Sequence, residues 1–189
     1  PPHNLMSFFT LTANLGNPCA VVPGPLVARG IARQALAAMQ ALADRVDPAC
    51  HGMDPIAAMD ALATGDRFWM APHCYLYATY SRPGYRAHPI SFHDMPALGA
   101  LGPVGSALGG TGIAISAQTR HPEPCTRFAL WLASAPLQRG LYAAHNGQPG
   151  NAIAWGDADV NAAVGRAYAN TRLTHEAAWL RPRHAGYMG

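Results

Sequence analysis

Apolar residues recur at three- and four-residue steps along much of the chain, and that spacing predicts helices. Residues 4–13 carry Leu5, Met6, Phe8, Phe9 and Leu11 before Gly16-Asn17-Pro18 ends the run. Over 26–46 a stripe of Ile31, Ala35, Met39, Leu42 and Val46 leaves Arg33, Gln40 and Asp44 elsewhere, and Asp47-Pro48 stops it. Asp54-Pro55 starts another helix, with a carboxylate at the cap and proline at the first helical position, and Gly65 ends it. Further helices are expected over 122–133 and 136–144, and Asp157 caps one carrying Val160, Val164 and Tyr168. Short apolar runs between them read as strands: 67–71 with Trp69 in the core, 90–92, and 113–116 behind a glycine turn. Helices alternating with short strands predict an α/β fold.

Composition narrows the class. Half of the 189 residues are hydrophobic and only 12% are charged, the opposite balance to a disordered chain. The net charge is +3 and every basic residue is arginine, yet these are dispersed. The densest grouping, Arg181-Pro182-Arg183-His184, is too short for a nucleic-acid track, so no nucleic-acid partner is expected. No run reaches the roughly 20 apolar residues of a membrane span. The opening Pro1-Pro2-His3 has no export signal and reads as the middle of a longer protein or a processed product. Cys19, Cys50, Cys74 and Cys125 form no Cys-x-x-Cys pair, and small apolar core residues describe them best.

Two tight turns carry the candidate chemistry. Gly109-Gly110-Thr111-Gly112 and Gly147-Gln148-Pro149-Gly150 present open peptide groups and one polar side chain each, which suits a hydroxyl-rich small molecule. The bland alternative is two plain turns. Tyr75 and Tyr77 share one side of an extended segment and can stack on sugar faces, or can be half-buried strand residues. Arg181 and Arg183 can hydrogen-bond ligand oxygens, or simply face solvent. A rival reading is a small metal-dependent or hydrolytic enzyme using His73, Cys74, His88 and His93 in the segment 73–94. No His-x-x-x-His or Gly-x-Ser-x-Gly supports it, so neither catalysis nor a cofactor is expected.

Five segments in order resemble the carboxyl-terminal part of bacterial extracellular solute-binding proteins of family 1, which serve carbohydrate ABC transporters. They are Ala61-Leu62-Ala63-Thr64-Gly65-Asp66 with Phe68-Trp69-Met70; Leu108 to Ser116; and His121-Pro122-Glu123 with 128–134. The last two are Gln138-Arg139 with Gly147-Gln148-Pro149-Gly150, and Arg181-Pro182-Arg183 through Tyr187. The resemblance implies a type II periplasmic-binding-protein fold, of which this chain is a partial copy. Residues 1–66 and 135–189 then belong to the carboxyl-terminal lobe, and 67–134 form the returning segment of the other lobe with its crossover strands. It further implies a carbohydrate held in an inter-lobe cleft, a membrane permease as partner and a periplasmic or extracellular location. Tyr75, Tyr77, Gly110, Thr111, Gln148, Arg181 and Arg183 are the implied ligand contacts. Half a cleft exposes apolar surface, which dimerisation, strand exchange or a rearranged core would cover.

Overall fold

The computed structural model describes residues 2–181. Its helices are α1 (Pro2–Asn14), α2 (Arg29–Ala43), α3 (Pro55–Thr64), α4 (Pro122–Ala133), α5 (Ala135–Leu137), α6 (Ala152–Gly156), α7 (Ala158–Ala162), α8 (Ala167–Asn170) and α9 (Arg172–Glu176). The α/β expectation is overturned: the chain is 49% helical and 1% strand, with no sheet among the described residues. It is an all-α structure and not a periplasmic-binding-protein fold.

The strands fail for want of partners. A strand leaves its N–H and C=O groups open unless a neighbour pairs with them. Residues 113–116 are irregular and unpaired, with Ile113 51% exposed. Trp69, expected in a buried strand, is 88% exposed in an irregular segment. The segment 90–92 is irregular too, and the backbone pairing seen is one isolated parallel bridge between Ala107 and Trp179.

Two compact units divide the chain. The first takes the described residues of Pro1–Tyr75, His93–Leu108 and Thr171–Gly189. Its core gathers around Phe9 and Cys19, with Leu5, Phe8, Leu26, Val27 and Trp179 against them. The Trp179 ring meets Phe9 edge-on at 6.1 Å. Buried polar groups on α1 hold the loop 93–108. Asn14 donates from Nδ2 to the Val104 carbonyl at 2.5 Å and accepts the Leu98 N–H at 2.7 Å. Thr10 Oγ1 lies 3.1 Å from the Gly105 carbonyl. Helix α3 begins where the sequence predicts, because Asp54 accepts the Ala57 N–H at 2.8 Å and Pro55 needs no donor. Helix α2 is shorter than the predicted 26–46, and its stripe is only partly covered: Ala35 is buried, Leu42 faces solvent, and Val46 lies exposed beyond the helix end.

The second unit is Leu76–Phe92 with Gly109–Asn170. Trp155, Val160, Val164, Ala167 and Tyr168 pack with Ala78 and Ala143 at its centre. Asn151 caps α6 through the Ile153 N–H at 3.0 Å, and Asp157 caps α7 through Asp159 and Val160. The single helix expected after Asp157 is split, because Gly165 (φ 56°) and Arg166 (φ 63°) are both left-handed. Two successive left-handed residues cannot continue a right-handed helix, so α7 and α8 stand apart. From α5 the chain widens into a π turn, Gln138–Tyr142. Its side chain Gln138 is buried, donating to the Leu132 carbonyl at 2.7 Å and accepting the Gly150 N–H at 2.8 Å.

Candidate functional site

A groove of about 360 Å³ opens on the second unit. Trp131 and Leu132 come from the end of α4, Leu137, Leu141 and Tyr142 from the π turn and its approach, and His145 and Gly147 from the turn that follows. The sequence builds this shape locally. Asn146 is left-handed (φ 67°), so its N–H reaches back to Ala143 at 3.2 Å and the Gly147 N–H to Tyr142 at 2.8 Å. That pair of bonds is a helix-terminating motif which asparagine tolerates and glycine completes. Gly147 lies so close to Tyr142 that a Cβ there would sit 2.5 Å from ring carbons and 2.7 Å from the Tyr142 carbonyl oxygen. Isolated π turns of this kind recur where a helix is bent to shape a site.

Beyond Gly147 the turn is anchored at each residue. The Gln148 Oε1 accepts the Ala78 N–H at 3.2 Å, the Pro149 carbonyl accepts the Trp155 indole N–H at 2.7 Å, and Gly150 donates to Gln138. The Gln148 side chain is exposed. Across the groove Trp131 is 51% exposed and tilts against Phe128 at 5.6 Å. Helix α4 has no buried residue, so its apolar side chains face the groove or solvent.

The residues singled out in the sequence do not line this groove. Tyr77 and Gln148 come nearest each other: the Ala78 N–H beside Tyr77 is the one that Gln148 accepts. Tyr77 is half-buried and tilts against Tyr80 at 6.5 Å. Gly110 and Thr111 lie exposed in the unpaired segment. Tyr75 belongs to the first unit, where its hydroxyl donates to the Met6 sulfur at 2.8 Å and lies 3.3 Å from His3 Nδ1. Tyr75 and Tyr77 fall in different units. Arg181 is exposed in the first unit, and Arg183 lies outside the described residues. Trp131, Tyr142 and His145 were not legible as site residues, because their helical spacing reads as ordinary core.

No group of three His, Cys, Asp or Glu side chains gathers among the described residues. Burial pushes the Cys74 thiol up, which keeps it protonated and unreactive. Burial likewise pushes His73 below its ordinary 6.5, opposed by the hydrogen bond it donates to the Pro96 carbonyl. A histidine held neutral in the fold loses ground when the unfolded chain can take up a proton. Stability is therefore full above about pH 6.5 and falls as pH drops below that value towards the lowered folded pKa. Urea midpoints at pH 7.5 and 5.5 should fall on acidification in the wild type and fall less in His73→Gln; equal slopes would show that His73 is not buried neutral.

No helix of the described residues is long and apolar enough to cross a membrane. The chain matches no family model, no curated protein and no solved structure.

Proposed function

We propose that the chain captures a neutral polyhydroxylated solute, a carbohydrate, and holds it without transforming it. The observation that carries this reading is the groove, where two aromatic rings, Trp131 and Tyr142, lie with the His145 imidazole and the turn at Gly147. Pyranose C–H faces pack on aromatic rings while their hydroxyl edges need fixed donors and acceptors. The lining supplies one imidazole and one phenol but no carboxylate, thiol or aliphatic hydroxyl, a set better suited to holding than to bond breaking. The order of sequence motifs supports a role as the solute-binding component of an ABC uptake system, with a membrane permease as partner and a periplasmic or extracellular place of work. A cleft between α/β lobes forms no part of the reading.

Isothermal titration with glucose, galactose, maltose, sucrose and trehalose tests it. At least one sugar should bind in the micromolar range, about −7 to −8 kcal/mol. Trp131→Ala should weaken that binding roughly five- to tenfold, the scale of one lost aromatic contact. Its melting temperature should barely change, because the side chain is half-exposed. Flat isotherms across the panel, or unchanged affinity in the variant, contradict the reading.

A further inference from the structure

Asn146 is exposed, and it is the one asparagine of the chain that glycine follows. Its carboxamide makes no hydrogen bond among the described residues, whereas Asn14, Asn17, Asn151 and Asn161 each spend theirs on backbone groups. The backbone nitrogen that follows an asparagine can close a five-membered ring on its side-chain carbonyl carbon. Glycine leaves that approach open, having no Cβ to shield the nitrogen. In the folded turn this nitrogen is committed, because the Gly147 N–H donates to the Tyr142 carbonyl at 2.8 Å. An amide held in such a bond surrenders its proton only when the turn opens.

We propose that Asn146-Gly147 is a site of spontaneous self-modification, gated by this turn, whose product cannot rebuild the groove wall. On opening, solvent base removes the Gly147 amide proton and the nitrogen attacks Asn146 Cγ. The N–Cγ bond forms, the Cγ–Nδ2 bond breaks, and Nδ2 leaves as ammonia with a proton from water. Water then adds to one carbonyl of the succinimide. Cleavage at Cγ gives aspartate; cleavage at the α-carbonyl gives isoaspartate, with the main chain rerouted through the side-chain carbons. The sum is one water taken up and one ammonia lost, with no change of oxidation state. Isoaspartate inserts a methylene into the main chain before Gly147, and the turn has no slack for it. Gly147 packs on Tyr142 without room for a Cβ, and Gln148, Pro149 and Gly150 are tied to Ala78, Trp155 and Gln138. The effect on solute rests on reading the groove as a carbohydrate site; the modification does not.

The full chain is aged at about pH 8.5 and its peptides are mapped for isoaspartate. Residue 146 should convert ahead of every other asparagine, and roughly tenfold or more slowly in buffer than in concentrated guanidinium chloride. The isolated isoaspartate form should melt lower than fresh protein and bind the panel sugars at least tenfold more weakly. Asn146→Gly keeps a residue suited to the left-handed backbone, so it should not convert and should keep its starting melting temperature on ageing. The site is overturned if residue 146 retains its amide in denaturant, converts equally fast folded and unfolded, or yields an isoaspartate form that melts like fresh protein. If that form melts lower but binds sugars unchanged, or if fresh protein binds none, the self-modification stands and the carbohydrate reading falls.

Discussion

Gly105→Ala is expected to lower the stability of the first unit by about 3 kcal/mol. Gly105 is left-handed (φ 83°), a conformation that costs an L-residue about 1–2 kcal/mol. Its added methyl would also run into the Ala13 side chain, with the Thr10 carbonyl oxygen at 3.4 Å and the Ala13 Cα at 3.5 Å. Those atoms belong to α1 and cannot retreat singly, so overpacking adds roughly 1–3 kcal/mol. Nor can the loop back away cheaply. Gly105 donates to the Ala177 carbonyl at 3.2 Å, and its own carbonyl faces Thr10 Oγ1. Urea denaturation measures the loss, and Gly30→Ala is the control. Gly30 lies in α2 with open space around it, so alanine there should be neutral or stabilising. A loss below about 1 kcal/mol at Gly105, on the scale of an ordinary surface change, would mean that the loop does not lie on α1 as described.

Gly147→Ala is the second large effect, and it joins stability to binding. The Tyr142 ring can swing away from a new methyl, but the Tyr142 carbonyl, 2.7 Å from it, cannot. That carbonyl accepts the Gly147 N–H and so closes the helix end. Alanine must break this bond or displace the turn, a cost of about 2–3 kcal/mol. Gln148, Pro149 and Gly150 are each tied to a different segment, so the displacement spreads to the Gln148 amide and the groove wall. Sugar affinity should fall more than tenfold, with a changed Trp131 emission maximum in the unliganded protein. Wild-type affinity in this variant would show that the turn is not part of the site.

How far the sequence reveals this molecule depends on how local each cause is. Asp54-Pro55 and Asp157 act within one turn of chain, and both caps are where the sequence puts them. The Gly147–Gly150 turn is legible for the same reason. Strands are not local: the apolar run 113–116 looks like a strand, but pairing needs a partner that no single segment can promise. The break between α7 and α8 hides in Arg166, whose left-handed backbone nothing in the neighbouring residues demands. Trp69 misled because large apolar residues are usually inside, whereas here the ring faces solvent. Trp131 and Tyr142 became site residues only through the π turn that Gln138 braces between Leu132 and Gly150. That bracing joins residues twelve apart, beyond the reach of a periodicity argument.

Chemical-shift mapping of backbone amides and tryptophan indoles, with the tightest-binding sugar of the panel, puts the groove to its most direct trial. The largest changes should fall on the Trp131 indole, on Leu141 and Tyr142, and on the amides of Gly147 and Gln148. Changes centred instead on Thr111, Tyr75 or Arg181, with the groove resonances still, would contradict the account.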